Sequence, residues 1–291
     1  MENENYYTEA TNLPLSFKLL QFYYRYVGSF FPALSGWIFW KIFSLPKKRK
    51  IRKKHQIFLV TAKTQTIAFE NYQIQAYHWG EADKKILIVH GWEGMSADFK
   101  GIITELTNSG FSVMAIDLPA HGKSSGKHTH LPMIIRLIEK LIAEHGPFYG
   151  IVSHSLGAAA SSFTSARING KSNLSKLVLM GLHPVPFAYF EQFRQALKIK
   201  DKLFDKCVLY VENKVDVKIR EASVHKIASS ISANHVLLVH DEKDEVANIN
   251  NIKKLNQELE KSELFSGQHG GHFKHYKHPA VIEKLVQFMK D

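Results

Sequence analysis

The sequence contains only one cysteine, Cys207, among 291 residues. A single cysteine excludes an intrachain disulfide framework, and no histidine lies at a diagnostic spacing from it, so we expect a packed thiol rather than a second nucleophile. The sequence also lacks the basic start of a secretory signal, because Glu2, Glu4 and Glu9 make the N-terminus acidic. These absences predict a cytoplasmic protein.

Long apolar runs are scarce as well. The segment from Val27 to Trp40 is aromatic and carries no formal charge, but it is shorter than the roughly 20 residues that span a bilayer. Pro32 and Gly36 are also expected to interrupt it. Three interpretations stay open: a helix packed on the rest of the protein or on a partner, a membrane-surface attachment, and a full span.

Positive charge is concentrated rather than spread. The formal net charge is +11, and seven basic residues lie between Lys47 and Lys54. Interfacial tryptophans followed by basic groups suit an anionic leaflet, so a peripheral membrane contact through residues 27–54 is one prediction, with a solvated linker as the alternative. No zinc-finger spacing, helix-turn-helix signature or interleaved aromatic motif accompanies the run, so we predict no nucleic-acid partner.

What the sequence does contain is a run of strands that alternate with helices. Short apolar runs at 86–90, 112–117, 148–154, 176–180 and 236–240 alternate with helical patterns, and a hairpin is predicted to turn near Asn71. Such alternation predicts a mostly parallel sheet covered on both faces. The 45% hydrophobic content suffices for one sizeable core.

A nucleophile is predicted at Ser155. The serine follows an apolar run and precedes an alanine-rich helix, with the small residues Ser153 and Gly157 two positions away on either side. A sharp turn from strand to helix requires such small neighbours, because the backbones there nearly touch. Backbone N–H groups of Trp92, in the glycine-bearing loop after Val89, and of Leu156 are the predicted oxyanion donors.

An acid and a base follow later in the chain. Asp241 and Asp244 come at the end of an apolar strand, where open α/β sheets place their sites, and either can supply a carboxylate. His272 follows a glycine pair and is the candidate base. His269, His272, His275 and His278 recur every third residue, but Gly270 and Gly271 make a helix there improbable, which argues against a metal site.

The order Ser155, Asp244, His272 is that of the α/β hydrolases. The chain resembles esterase-like or lipase-like serine hydrolases of that superfamily, most closely bacterial members, in motifs that run from about Ile57 to the C-terminus: VHGWEG, AIDLPAHGKSSG, SHSLG, VHDEKDEV and GGHF. The resemblance implies an α/β-hydrolase fold, with an eight-stranded, mostly parallel sheet and a small helical cap after the sixth strand. It also favours Asp244 over Asp241 as the acid.

Two domains are therefore predicted: 1–56, an apolar helix with a basic linker, and 57–291, a catalytic domain with a cap at about 184–230. Aromatic side chains of the cap either line an acyl site or only pin the cap in place. Asp117, His121 and His90 are assigned to loop structure.

The predicted reaction is hydrolysis of a carboxylic ester, thioester or amide of a small-molecule acyl substrate through the triad, without a metal or organic cofactor. An acyltransferase on the same triad and a non-catalytic ligand-binding or membrane-associated scaffold are the alternatives. The oligomeric state is left open.

Overall fold

A computed structural model describes residues 14–168 and 174–291 of the chain. The acidic residues Glu2, Glu4 and Glu9, on which the expectation about a secretory signal rests, lie outside the described residues, as does the start of the predicted domain 1–56.

The centre of the fold is an eight-stranded sheet. Its strands are β1 (Lys63–Phe69), β2 (Tyr72–Trp79), β3 (Lys85–Val89), β4 (Ser112–Ile116), β5 (Gly150–His154), β6 (Lys176–Met180), β7 (His235–Asp241) and β8 (Ser262–Gly267). They are ordered β1-β2-β4-β3-β5-β6-β7-β8. The first two strands form the predicted antiparallel hairpin, β2 also runs antiparallel to β4, and all the other pairs are parallel. The predicted eight-stranded, mostly parallel sheet is confirmed.

Helices connect the strands and precede them. They are α1 (Leu15–Phe22), α2 (Pro32–Phe43), α3 (Lys53–Leu59), α4 (Lys100–Asn108), α5 (Leu131–His145), α6 (Leu156–Ile168), α7 (Phe187–Leu197), α8 (Asp201–Val215), α9 (Val224–Ile227), α10 (Ile249–Glu258) and α11 (Pro279–Lys290). Among the residues described, no helix is both long and apolar enough to cross a bilayer.

Alternating side chains of the central strands build two cores. Leu87 and Val89 of β3 pack on one face of the sheet with α5, α6 and α10. Ile86 and Ile88 pack on the other face with α3, α4 and α11. Because successive strand residues point to opposite faces, a strand buried on both sides is apolar throughout. This explains why the central strands appear in the sequence as unbroken apolar runs.

The described residues form two compact units that interleave along the chain. The helical unit comprises the described residues up to Leu45 together with Val185–Ser223, and the sheet unit comprises Pro46–Pro184 and Val224–Asp291. The domain division predicted along the chain, at residue 56, stays a prediction.

The helical unit has its own aromatic core. Phe39 and Phe43 of α2 lie with ring centroids 5.7 and 4.1 Å from that of Phe190, and Phe193 and Phe204 also lie within 6 Å of Phe39. The N-terminal apolar segment and the insertion after β6 therefore share one core. Several of the insertion's aromatic residues are used in this core.

Helix α2 departs from the sequence expectation at one residue. Pro32 begins the helix, where a missing N–H costs nothing, but Gly36 lies inside it and does not interrupt it. A methyl group at Gly36 would lie 2.6 Å from Cβ of Tyr210 in α8. The glycine therefore allows two helices to approach closely, a role that depends on a residue far away in the sequence. Cys207, also in α8, is buried as predicted, and burial raises its pKa to about 12.

The basic run is only partly a solvated linker. Arg49 donates two hydrogen bonds to the buried carboxylate of Asp98, and the Lys48 ammonium donates to the carbonyl oxygen of Ser124. Its last residues, from Lys53, begin α3, whose Phe58 and Leu59 are buried. The run is thus tied to the sheet unit.

Candidate active site

Ser155 occupies a sharp turn between β5 and α6. Its backbone φ is +51°, in the left-handed region that residues with a Cβ rarely adopt. Its backbone N–H donates to the carbonyl of Met180 on the neighbouring strand at 2.8 Å, which holds the turn against the sheet. The chain therefore maintains a strained conformation at this residue, a feature that clusters at functional sites.

The two small neighbours of Ser155 have different reasons to be small. A methyl group on Gly157 would lie 2.5 Å from the carbonyl oxygen of His90 and 2.6 Å from that of Val89, so only glycine fits there. Ser153 is fully buried, and its hydroxyl donates to the carbonyl of Val178 at 3.1 Å. A serine is therefore accommodated in place of the usual glycine.

Three predicted residues are brought together by hydrogen bonds. Oγ of Ser155 lies 2.9 Å from Nε2 of His272, and Nδ1 of His272 lies 2.8 Å from Oδ2 of Asp244. All three residues are buried. Because the carboxylate accepts, Nδ1 carries the proton, and Nε2 is then free to accept from the serine hydroxyl.

Asp244 is fixed from its other side as well. Its Oδ1 accepts the backbone N–H groups of Val246 and Ala247, both at 2.8 Å. Burial alone would raise the pKa of Asp244, but the hydrogen bond from His272, electrostatic attraction to His272 and His240, and the N–H of Ala247 together outweigh burial, so the pKa is lowered. At neutral pH the group is thus a carboxylate, the form that accepts hydrogen bonds.

Asp241, the alternative acid, serves the surrounding turns instead. Its carboxylate accepts the backbone N–H groups of Lys243 and His269. The structure therefore places Asp244, and not Asp241, against the histidine ring.

The predicted oxyanion donors flank the serine. Leu156 is the first residue of α6, where N–H groups have no partner within the helix. Trp92 follows Gly91, and a methyl group on Gly91 would lie 2.9 Å from Cβ of Ser155. Both backbone segments thus run directly beside the serine.

A further histidine, His154, lies beside the base, and no role was predicted for it from the sequence. Nε2 of His154 lies 2.9 Å from the carbonyl oxygen of His272, and because a carbonyl oxygen can only accept, Nε2 is the donor. Burial, followed by repulsion from His272 and His275, holds the pKa of His154 well below its usual value. Its position next to Ser155 in the motif is the sequence feature that could have indicated a role for His154. The motif does not, however, indicate a hydrogen-bond partner 118 residues away.

The residues assigned to loop structure do serve that purpose. His90 accepts the N–H of Leu118 at 2.9 Å and bonds the carbonyl of Gly91 at 2.7 Å. Asp117 accepts the backbone N–H and the hydroxyl of Ser96, both at 2.8 Å. Nε2 of His121 accepts the N–H of Glu93. These bonds fix the loop that carries Trp92.

Comparison with known proteins gives consistent matches. The sequence profile of the alpha/beta hydrolase fold family matches residues 84–236, more than half of the chain. A serine hydrolase-like protein of Dictyostelium discoideum is 30% identical over 100 residues, which cover 32% of this chain and 28% of that protein. The chain thus spans less than a third of the length of the curated relatives it matches.

Solved structures share the fold at low sequence identity. An esterase of Pyrococcus furiosus superposes with a TM-score of 0.63 at 16% identity, over 84% of this chain and 96% of the esterase. A bacterial membrane phospholipase A superposes with a TM-score of 0.63 at 15% identity, over 95% of this chain and 97% of the phospholipase. At such identities the likeness concerns the fold.

Proposed function

The chain belongs to the α/β-hydrolase fold family, and we propose that it is a serine hydrolase that cleaves a carboxylic ester through Ser155, His272 and Asp244. The observation that carries the proposal is the unbroken hydrogen-bonded chain from Oγ of Ser155 through His272 to Asp244, at 2.9 and 2.8 Å. It begins at a residue held in a strained turn.

The first half of the reaction acylates the serine. Nε2 of His272 takes the hydroxyl proton as Oγ of Ser155 attacks the ester carbonyl, and the carbonyl π electrons move onto oxygen. The N–H groups of Trp92 and Leu156 stabilise this oxyanion, and a donor of this kind contributes about 3 kcal/mol to the transition state. The tetrahedral intermediate collapses, and the alkoxide leaves with the proton from His272.

The second half releases the acid. A water molecule gives its proton to Nε2 of His272 and attacks the acyl carbon, and collapse returns the proton to Oγ of Ser155. Asp244 keeps the proton on Nδ1 throughout and stabilises the imidazolium that forms twice in each cycle.

An ester is the bond we propose, and an esterase and a phospholipase among proteins of the same fold support it. A thioesterase domain with the same fold, at a TM-score of 0.56, makes a thioester the second bond to test. Comparison of p-nitrophenyl esters with the matching thioesters, over increasing acyl length, measures both preferences.

The decisive experiment is covalent labelling. A fluorophosphonate probe should label the wild-type protein, and Ser155→Ala should abolish both labelling and ester turnover. Ser153→Ala is the matched control, because Ser153 lies in the same motif but directs its hydroxyl to Val178, so labelling should persist. A folded wild-type protein that is not labelled would overturn the proposal and favour the non-catalytic scaffold.

A further inference from the structure

Exposed apolar side chains of the structure are concentrated in the first helices. Of the fourteen large apolar side chains that are exposed among the described residues, ten lie between Leu15 and Leu45. Scattered single residues of this kind are ordinary on a protein surface, whereas a concentration of them marks an interaction site.

The exposed residues follow helical spacing. Leu15, Leu19, Phe22 and Tyr26 are separated by four, three and four positions, which places them on one side of α1 and the turn that continues it. The rings of Phe22 and Tyr26 are 5.0 Å apart. We call these four residues, together with Phe30, Phe31, Leu34 and Trp37, the N-terminal apolar stripe.

The stripe belongs to folded structure and not to a loose segment. The opposite side of these helices faces inward: Tyr24 and Phe39 are fully buried, and the Tyr24 hydroxyl donates to the carbonyl of Ser35 at 3.0 Å. Burial of the inward side leaves the outward side as a fixed apolar surface.

Along the chain segment that carries the stripe, every charged side chain is basic. From residue 10 to residue 69 the chain contains no aspartate or glutamate. Within the stripe, the Arg25 guanidinium lies 5.4 Å from the ring centre of Tyr26, and the Lys41 ammonium lies 5.8 Å from that of Trp37. Lys18 is exposed between Leu15 and Leu19. Aromatic rings beside cations are typical of surfaces that meet the headgroup region of a bilayer.

We propose that the N-terminal apolar stripe docks the protein on the surface of a bilayer that contains anionic phospholipid. Helix α2 has twelve residues and is about 18 Å long, against about 30 Å of hydrocarbon, so the helix is too short to cross and must lie on the surface. A second copy of the chain would bring its own Lys18, Arg25 and Lys41 against the same charges, whereas anionic headgroups neutralise them.

Vesicle sedimentation of the full-length protein tests the proposal. Binding is measured to phosphatidylcholine vesicles and to vesicles of equal parts phosphatidylcholine and phosphatidylglycerol. We expect binding to the mixed vesicles that weakens as salt is raised. A double variant that combines Phe22→Ser with Phe30→Ser should weaken binding to the vesicles at least about tenfold. Lys18→Gln and Arg25→Gln should each weaken it about fivefold on mixed vesicles only.

A matched pair of equally exposed apolar residues outside the stripe provides the control. Ile57 and Val60 are 60% and 77% exposed, close to the 58% and 79% of Phe22 and Phe30. Ile57→Ser, Val60→Ser should leave binding unchanged. Thermal unfolding followed by circular dichroism verifies that each variant is folded. Vesicle sedimentation measures binding directly, so its result does not depend on the hydrolytic activity of Ser155.

Three results would overturn the proposal: no sedimentation of the wild-type protein with mixed vesicles, equal weakening by the control pair, or indifference to both charge variants. Size-exclusion chromatography tests the alternative that a second copy of the chain docks on the stripe. A dimer that the Phe22→Ser, Phe30→Ser pair dissociates, without any vesicle binding, would assign the stripe to self-association.

Discussion

His154 donates from Nε2 to the backbone carbonyl of His272 at 2.9 Å. The residue that precedes the candidate nucleophile thus holds the segment that carries the candidate base. Since the two histidines lie 118 positions apart in the chain, this bond fixes the distance between two elements that must meet within hydrogen-bond reach.

Replacement of His154 should impair turnover without loss of substrate binding. His154→Leu removes the donor, and a misplacement of the base of about 1 Å costs on the order of a hundredfold in rate, so kcat should fall while KM changes little. His154→Gln keeps an N–H donor and should recover most of the activity. Steady-state ester kinetics measure both variants, and equal losses in them would show that the bond does not position the base.

The two candidate acids should differ sharply. Asp244→Asn leaves a group of the same size but favours the wrong imidazole tautomer, which should lower kcat by about 10⁴. Asp241→Asn weakens hydrogen bonds to the backbone N–H groups of Lys243, His269 and Gly271 but leaves Asp244 in place, so the protein should lose about 1 to 3 kcal/mol of stability and stay active. Ester turnover and urea unfolding of the two variants distinguish these outcomes. An inactive but folded Asp241→Asn variant would reverse the assignment.

Acid should destabilise the fold through buried histidines. Burial lowers the pKa of His275 and of His183 from 6.5 to about 4. Below pH 6.5 these two histidines become protonated in the unfolded state, whereas in the folded state they stay neutral down to about pH 4. The free energy of unfolding should therefore fall with falling pH in this window, by up to about 1.4 kcal/mol per pH unit for each histidine.

The variant His275→Gln checks that assignment. The free energy of unfolding, measured with urea across the same window, should depend less steeply on pH in the variant than in the wild type. The reason is that the variant lacks one histidine that binds a proton only in the unfolded state. A substitution at the exposed His235, His235→Gln, is the control and should keep the wild-type slope. An unchanged slope in His275→Gln would contradict the prediction.

Two glycines should respond oppositely to alanine. In Gly157→Ala the new methyl group meets two backbone carbonyl oxygens at 2.5 and 2.6 Å, which cannot move without displacing β3, so we expect a loss of about 1 to 3 kcal/mol and impaired labelling of Ser155. In Gly101→Ala, inside α4, the methyl group meets only the end of the Ile282 side chain. Helix propensity there favours alanine by about 1 kcal/mol. Thermal unfolding of the two variants gives the comparison, and equal shifts would contradict it.

The sheet was predictable from sequence because its signal is local. A strand buried on both faces is an apolar run, so β3 to β7 can be located without knowledge of their neighbours. The positions of Ser155 and His272 were indicated by glycines that sharp turns require. The choice between Asp241 and Asp244 needed the family pattern, because both carboxylates follow the same strand and only the tertiary fold shows which of them meets the ring.

Other features were not predictable because they depend on distant contacts. Gly36 appeared to break a helix, yet its small size serves Tyr210 in α8. The partner of His154 is a backbone carbonyl, which leaves no trace in the sequence. Helix α3 begins within the basic run, where charge suggested a linker. The common cause is that packing outweighs local propensity at these positions.

The interleaving of the helical unit has a consequence for synthesis. Helix α2 is made long before α8, since Gly36 precedes its packing partner Tyr210 by 174 positions. At about 5 to 20 residues per second, the aromatic side of α2 waits roughly ten seconds or longer on the ribosome for its partner. During that interval the apolar face of α2 is available to chaperones and lipid, and protease digestion of stalled nascent chains should find α2 unprotected until α8 has emerged.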